Sequence, residues 1–109
     1  MKKTKQTQIY VGLNDSETYQ QKFETEKYVS ILKRVCQAYH VAFSMSRING
    51  GYFHDDGTYV EENTLMLTLL DVDEQTIEEI AKDLCAFFHQ ESVMVSSSEA
   101  TVRFVRESI

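Results

Sequence analysis

The hydrophobic pattern of the chain is densest at residues 63–71. Leucines occupy alternate positions there, and Met66 and Leu70 lie between them, so that only Thr68 interrupts the apolar run. A strand with one face in water would alternate apolar and polar side chains. Turn residues before the run and a helix pattern from Asp73 leave too little length for a buried helix. We therefore predict a central strand that is covered on both faces.

Two other segments repeat apolar side chains at the spacing of an amphipathic helix. We predict helices over Glu24–Tyr39 and Asp73–His89. Asp73 is placed to cap the second helix, and Glu74 lies in its first turn, where a negative charge suits the helix dipole.

Strand patterns explain the apolar residues between the N-terminus and residue 48. Ile9–Leu13 is a first strand, in which Gly12 indicates a bulge or a close backbone approach. Val41–Ile48 alternates apolar with small polar residues, as a strand with one buried face does.

Two turns can follow the second strand. Asn49-Gly50 is compatible with a tight hairpin. Alternatively, Gly50-Gly51 is a bulge and the strand continues to a turn at Asp55-Asp56-Gly57. We prefer the second arrangement, because Asp-Gly is a strong turn signal and good strand sequence follows it. It produces a long hairpin whose returning arm contains the central strand.

The chain after the second helix shows two short strand patterns. Val93–Val95 and Thr101–Val105 flank Ser96–Glu99, which has the composition of a turn. These residues predict a C-terminal hairpin.

The predicted order is strand, helix, strand, strand, helix, strand, strand. A βαββαβ core of this kind is the ferredoxin-like arrangement, an α+β sandwich with two helices on one face of an antiparallel sheet. The other face is open in a monomer. Because the central strand is apolar on both sides, we predict a homodimer in which a second copy packs sheet to sheet.

Length and composition are those of one globular domain. The chain has 109 residues, of which 42% are hydrophobic and 26% are charged. We divide it into a flexible basic tail, residues 1–8, and a single α+β domain, residues 9–109. No apolar run approaches the ~20 residues of a membrane span, and no apolar signal segment follows the basic tail. We therefore predict a cytoplasmic protein without a membrane partner.

Charge is distributed unevenly along the chain. The formal net charge is −6, and ten of the seventeen acidic residues lie between positions 55 and 83, where Lys82 is the only basic residue. Such a zone repels the phosphates of nucleic acids and attracts basic surfaces. We therefore predict no direct contact with nucleic acid and a partner with a basic protein surface.

Three segments resemble an uncharacterised family of small bacterial ferredoxin-like α/β proteins. They are Tyr10–Leu13 in the first strand, the Gly51–Glu62 hairpin, and Phe88–Val93 after the second helix. The resemblance covers most of the chain in order. It implies the fold and carries no established activity.

A looser resemblance is to small acidic proteins of phages and mobile elements, including anti-CRISPR inhibitors of type II nucleases. It rests on size, on the acidic zone and on the lack of a catalytic motif. The residues that we predict to bind a partner are Asp71, Asp73, Glu74, Glu78, Glu79 and Asp83, together with Asp55, Asp56, Glu61 and Glu62.

Other candidate sites have simpler structural explanations. His54, Asp55 and Asp56 with Glu61 and Glu62 offer ligands for a divalent metal, but their spacing matches no known loop and a polar hairpin tip explains them. We therefore predict no metal or other cofactor.

Histidines and aromatic residues give no catalytic motif. His40, His54 and His89 are general-base candidates, yet no serine or cysteine accompanies them in a nucleophile motif. An aromatic set, comprising Tyr10, Tyr52, Phe53 and Tyr59, can line one sheet face, but it lacks the basic residues of an RNA-binding sheet. Cys36 and Cys85 are predicted to be small buried side chains without the spacing of a zinc site.

Our leading hypothesis is a non-catalytic acidic protein-binding module, with an inhibitor of a nucleic-acid enzyme such as Cas9 as its most concrete form. The alternative is a dimeric small-ligand-binding domain or small enzyme with a pocket between sheet and helices. Tyr10, Tyr52, Tyr59 and His54 are expected near that pocket.

Overall fold

The computed structural model describes residues 2–108; Met1 and Ile109, the outer ends of the predicted tail and domain, lie outside this range. The elements in chain order are β1 (Lys2–Gly12), α1 (Thr25–Ala38), β2 (Ser44–Phe53), β3 (Tyr59–Leu70), α2 (Glu74–Phe87) and β4 (Met94–Val102). The two helices pack on a four-stranded antiparallel sheet of order β2-β3-β1-β4. The predicted α+β, ferredoxin-like sandwich is confirmed.

The core lies between the sheet and the helices. Leu65, Leu67 and Leu69 of β3 are buried, and they pair across the sheet with alternate residues of β1 that include Ile9 and Val11. The helices supply the opposing apolar surface with Tyr28, Val29, Leu32, Val35, Cys36, Ile77, Ile80, Ala81 and Leu84, and Phe88 follows α2. The apolar periodicity of the sequence thus corresponds to one continuous core.

The second face of the sheet has no helix over it. Met66 and Leu70 lie on this face, between the buried leucines of β3; Met66 is half-buried and Leu70 is 42% exposed. β3 is a central strand, as its two-sided apolar pattern predicts. The second copy that would cover this face stays a prediction.

The long central hairpin is confirmed. β2 and β3 pair without interruption from Ser44 opposite Thr68 to Phe53 opposite Tyr59. The connecting turn contains Gly57 at a φ of 87°, a conformation that glycine adopts without strain. Because the register is continuous at Gly50-Gly51, the predicted bulge there is wrong.

Strand boundaries differ from the prediction at both ends of the chain. β1 begins at Lys2 rather than Ile9, so residues 2–8 of the predicted tail form part of a strand. β4 is continuous, so the predicted turn at Ser96–Glu99 and the C-terminal hairpin are wrong. The two polar segments pair with each other at the edge of the sheet, with residues 2–8 opposite residues 96–102. Because neither segment requires apolar side chains at the edge of the sheet, the hydrophobic alternation of the sequence did not predict these two parts of β1 and β4.

The helices match their predicted positions to within two residues at each end. Asp73 caps α2, since its carboxylate accepts a hydrogen bond from the Thr76 backbone N–H at 3.2 Å. Cys36 is buried and Cys85 is half-buried, and both thiols are free.

Candidate functional site

A cleft of about 440 Å³ opens at the end of the sheet where β1 and β2 finish and β3 begins. The loop between β1 and α1 forms one wall, the base of the central hairpin forms another, and the segment after α2 closes the third side. Small-molecule sites typically measure about 300–1,000 Å³. The cleft is lined by Asn14, Asp15, Ser16, Tyr19, Tyr52, Phe53, His54, Asp55, Glu62, Gln90, Glu91 and Ser92.

Of two other concavities, one is continuous with this region and the other offers fewer contacts to a ligand. A cleft of about 530 Å³ shares Tyr19, His54 and Asp55 with the first and continues along the hairpin tip. A cleft of about 380 Å³ runs between residues 3–5 of β1 and residues 97–99 of β4, and its lining contains no aromatic side chain. We therefore take the first as the candidate site.

Asp15 organises the loop that forms the first wall. Only 3% of this residue is exposed, and its carboxylate accepts hydrogen bonds from the backbone N–H groups of Glu17 at 2.9 Å and Thr18 at 3.3 Å. Lys22 Nζ lies 3.2 Å from the same carboxylate. The hydrogen bond from the Glu17 amide, with help from Lys22, holds the pKa of Asp15 below its ordinary value although burial opposes this shift. Asp15 is therefore an ionised anchor for the loop.

The loop presents Tyr19 to the cleft in a strained conformation. The Tyr19 N–H donates to the Asp15 carbonyl oxygen at 2.8 Å, and Tyr19 has a φ of 59°. A non-glycine residue in this left-handed region costs roughly 1–2 kcal/mol, and such strain often occurs at functional sites. The Asp15 hydrogen bonds hold the tyrosine in this position.

Three aromatic rings meet beside the cleft. The Tyr19 and His54 ring centroids are 4.8 Å apart, and those of Tyr52 and His54 are 5.3 Å apart, both edge to face. We call these three residues the aromatic group. Glu62 lines the same cleft as this group. The pKa of Tyr52 is raised by burial and, to a smaller extent, by the negative charge of Glu62.

Glu62 reaches the cleft because Gly12 has no side chain. A Cβ atom at Gly12 would overlap the Glu62 carboxylate. Glu62 Oε2 accepts a hydrogen bond from the Asn14 backbone N–H at 3.0 Å. The close approach predicted at Gly12 is thus confirmed, and its partner is a charged side chain.

The cleft carries an excess of negative charge. Its lining includes the carboxylates Asp55, Glu62 and Glu91 as well as Asp15, whose charge is paired with Lys22, and no lysine or arginine is among these lining residues. Clefts lined by one sign of charge focus the electrostatic potential and raise the local concentration of oppositely charged ligands. The arrangement of carboxylates beside aromatic rings suits a cation.

The predicted acidic residues of α2 lie outside the cleft, and most have intramolecular partners. Lys2 Nζ lies 3.8 Å from the Asp71 carboxylate, and Lys5 forms an ion pair with Glu74. The Tyr39 hydroxyl donates to the Asp83 carboxylate at 2.7 Å, and this hydrogen bond raises the pKa of Tyr39 to about 12.

Glu78 and Glu79 are the predicted α2 acids that point into water. Both are exposed, and no ion pair to either occurs within residues 2–108. Asp73 serves as the helix cap, and the hydrogen bonds that it accepts from the Thr76 hydroxyl and amide hold its pKa below the ordinary value. The acidic zone of the sequence is therefore divided among several environments.

The predicted acidic residues of the central hairpin also lie in different environments. Asp55 and Glu62 line the cleft. Asp56 accepts a hydrogen bond from the Thr58 backbone N–H at 2.9 Å, and Glu61 accepts one from the Tyr59 hydroxyl at 3.1 Å. Because neighbouring strand residues project to opposite faces, Glu61 and Glu62 do not share a site. In the described part of the chain, no group of three or more His, Cys, Asp or Glu residues is placed to hold a metal ion.

The four aromatic residues proposed for one sheet face are divided between two faces. Tyr52 pairs with Val60 in the register of the hairpin, whereas Phe53 pairs with Tyr59. Tyr10 and Tyr52 therefore project from the open face, and Phe53 and Tyr59 project from the opposite face. The prediction of a single aromatic face is wrong. Of the residues expected near a small-ligand pocket, Tyr52 and His54 line the cleft, whereas Tyr10 and Tyr59 are not among its lining residues.

Sequence reasoning missed Tyr19, Asn14, Gln90 and Glu91 as cleft residues. Gln90 Nε2 donates to the Asn14 carbonyl oxygen at 2.6 Å and joins the segment after α2 to the loop after β1. This contact spans most of the chain. The sequence signal available for it was the unusually polar Asn14-Asp15-Ser16 segment directly after a buried strand.

No helix in the described range is long and apolar enough to cross a membrane.

A search among curated proteins finds no match to this chain. Solved structures with a similar fold include a phage SAM lyase in complex with S-methyl-5'-thioadenosine, which is 22% identical with a TM-score of 0.69 over 88% of this chain and 81% of that chain. The apo form of a phage SAM lyase is 19% identical with a TM-score of 0.67, and the match covers 95% and 94% of the two chains.

A third similar structure is the divalent ion tolerance protein CutA1 from Ehrlichia chaffeensis, which is 10% identical with a TM-score of 0.53 over 91% of this chain and 84% of that chain. At these identities the similarities establish the shared fold. A family model matches residues 6–104, nearly the whole described chain. The chain therefore belongs to a family of proteins of unknown function, DUF3574.

Proposed function

We propose that this protein binds a small cationic metabolite in the cleft at the end of its sheet. The observation that carries the proposal is the combination of the aromatic group with the Glu62 and Asp55 carboxylates in a concavity of about 440 Å³. This is a form of the small-ligand alternative of the sequence analysis, although the cleft lies at the end of the sheet and not between sheet and helices as expected there.

The chemistry of the lining favours a positive charge next to a flat ring. A cation over an aromatic face gains about 0.5–2 kcal/mol, depending on how far it is desolvated. A carboxylate about 4 Å away adds roughly 4 kcal/mol of attraction at the effective dielectric of a protein surface. A neutral ligand of the same shape receives neither contribution, so charge is the expected basis of selection.

The similar structures suggest which cation to test. A phage SAM lyase with this fold has been solved with S-methyl-5'-thioadenosine, a compound that contains a flat adenine ring. SAM, S-adenosylmethionine, joins the same adenosine to a positively charged sulfonium. Its ring and its charge fit the two features of the cleft, so we propose SAM-like sulfonium compounds as the ligand class.

Calorimetric titration with SAM and with S-adenosylhomocysteine tests the proposal, because the two differ by one methyl group and the positive charge. We expect SAM to bind at least about tenfold more tightly, a difference of ~1.4 kcal/mol. Glu62→Gln should remove most of that preference. Glu61→Gln is the matched control, since Glu61 lies next in sequence and outside the lining of the cleft.

Each outcome has a distinct meaning. If neither compound binds at millimolar concentration, this ligand class is wrong. If both bind equally well, the site takes adenosyl compounds but does not select for charge. Analysis of the same samples for S-methyl-5'-thioadenosine would show whether bound SAM is also cleaved.

The second candidate is the acidic protein-binding module. The observation that favours it is the exposed pair Glu78 and Glu79 on α2, which has no ion-pair partner in the described residues. A nucleic-acid enzyme with a basic groove, such as Cas9, is the partner that this charge would suit. None of the similar proteins described above is an anti-CRISPR protein, so that identity rests on acidic charge alone.

A pull-down from host lysate tests this candidate with the double variant Glu78→Lys/Glu79→Lys. We expect a basic partner to be retained by the unmodified protein, released at moderate salt, and lost in the variant. Retention of the same partner by the folded variant would show that Glu78 and Glu79 of α2 do not form the binding surface.

A further inference from the structure

The open face of the sheet is almost free of charge. Side chains at the even-numbered positions of all four strands project from it, as the registers require. In the strands as described, Lys2 and Glu62 are the only charged residues at these positions, and they lie at the ends of the face. The other charged strand residues project to the side that carries the helices; they are Lys3, Lys5, Arg47, Glu61 and Glu99.

The face has less charge than is expected for a monomer, although neutral polar side chains such as Gln6, Gln8 and Ser96 remain on it. In an antiparallel sheet with one packed face, the solvated face normally carries the polar and charged side chains. Here 26% of the chain is charged, yet the face without helices has almost none of that charge. A surface core depleted in charge is the compositional mark of a protein interface.

A row of uncharged side chains crosses the middle of the face from strand to strand. Met66 pairs with Tyr10 on one side and with Ser46 on the other, and Tyr10 also pairs with Met94. These four side chains form a row from one edge of the sheet to the other. Met94 is 59% exposed, and both methionines can adapt to a partner surface.

We infer that this face is covered by a second copy of the same chain. A neutral surface offers no complementarity to nucleic acid or to a strongly charged protein, whereas it is complementary to itself. Four strands spaced ~4.8 Å apart and about nine residues long present roughly 500 Å². Two copies together would bury about 1,000 Å², which reaches the lower limit of specific interfaces.

The second copy would also border the candidate site. Tyr52 and Glu62 are at even-numbered positions of β2 and β3 and line the cleft as well. The inference itself is independent of the ligand proposal, because it depends only on the charge and shape of the open face.

Light scattering of the full chain after size exclusion tests the inference. We expect a mass of at least twice the 12.6 kDa of one chain at micromolar concentration. Ser46→Lys places a charge at the β2 end of this row and should raise the concentration at which the assembly dissociates by at least about tenfold, because an unpaired charge buried between two copies is costly. Met94→Lys, at the other end of the same row, should do the same.

Ser30→Lys is the matched control, since Ser30 is an exposed serine on α1 and should leave the mass unchanged. Circular dichroism confirms that each variant folds. A mass of 12.6 kDa for the unmodified protein over the whole concentration range would overturn the inference. Dissociation constants that are equal for Ser46→Lys and Ser30→Lys would also overturn it, because assembly would then use another surface.

Discussion

The contact between Gly12 and Glu62 leads to a prediction about the wall of the cleft. Alanine at position 12 would place a methyl group where the Glu62 carboxylate lies, and this carboxylate would have to move. Its hydrogen bond from the Asn14 backbone N–H would then be lost. We expect Gly12→Ala to destabilise the protein and to weaken binding of a cationic ligand.

Two opposing contributions set the size of the effect. Loss of a hydrogen bond to a charged group costs about 1.5–2 kcal/mol at a half-buried position. Replacement of glycine by alanine within a strand stabilises the folded state by ~0.5–1 kcal/mol relative to the unfolded state, because the unfolded chain loses conformational freedom. The net expectation is a loss of about 1 kcal/mol.

The same substitution should have the opposite sign when Glu62 is removed. When Glu62 is replaced by alanine, there is no carboxylate to displace and no hydrogen bond to lose. Gly12→Ala should then stabilise the protein by ~0.5–1 kcal/mol. Gly50→Ala is the control in the unmodified protein, since the closest atom to a Cβ there is Thr64 Oγ1 at 3.4 Å. It should be neutral or stabilising.

Urea unfolding followed by circular dichroism measures these values, because the chain contains no tryptophan for fluorescence. The unmodified protein, Gly12→Ala, Glu62→Ala and the double variant form a double-mutant cycle and are compared at one pH and one protein concentration. If Gly12→Ala lowers the free energy of unfolding equally with and without Glu62, the carboxylate contact does not cause the loss and our account of this wall is wrong.

Three further predictions concern the core and the ionisable groups. Phe88→Ala should cost about 3–5 kcal/mol of unfolding free energy because Phe88 is 2% exposed, whereas Phe87→Ala, at a 57% exposed position, should cost less than ~1 kcal/mol; urea unfolding compares them. The lowered pKa of Asp15 means that its carboxylate stabilises the fold above the unfolded pKa near 3.8 and that this stability is lost as the pH falls through the lower folded pKa. Asp15→Asn should therefore show a smaller fall in its urea midpoint between neutral pH and about pH 3 than the unmodified protein does, and an equal fall would contradict the assignment. Asp83→Asn should bring the pKa of Tyr39 down from about 12, which an ultraviolet titration of the two proteins detects as an earlier ionisation of one tyrosine.

The interior of the fold was predictable because burial leaves a strong pattern in the sequence. The two-sided apolar run at residues 63–71 identified a central strand, and helical spacing placed both helices to within two residues. Local chemistry also identified the Asp73 cap and the Asp56-Gly57 turn, because each depends on residues close together in sequence.

The edges of the sheet were not predictable by the same signals. Residues 2–8 and 96–102 pair with each other. Residues 2–8 contain no apolar side chain, and most side chains of residues 96–102 are exposed. A serine-rich segment has the composition of a turn until its partner strand is known. The partner lies at the other end of the chain, so no local window of sequence contains the information.

The candidate site was predictable only in part for a related reason. Tyr52 and His54 were expected near a pocket, but the register of the hairpin was needed to separate them from Tyr59. Tyr19 joins the aromatic group through a backbone conformation that Asp15 maintains. A positive φ at a tyrosine has no sequence signature, because glycine or asparagine is the residue usually found there.

Acidic charge along the sequence had pointed to α2 as the functional surface, and strand pairing changes that interpretation. β1 carries Lys2 and Lys5 alongside the end of β3, where they meet Asp71 and Glu74 across about two thirds of the chain. Exposed ion pairs of this kind contribute only about 0–1 kcal/mol to stability, but they do neutralise the surface around the start of α2. The remaining carboxylates differ in their surroundings. Glu78 and Glu79 of α2 project into water, whereas Asp55, Glu62 and Glu91 line one cleft beside aromatic rings. A cleft lined by one sign of charge raises the local concentration of oppositely charged ligands, so the proposed cationic ligand would be drawn to the cleft rather than to α2.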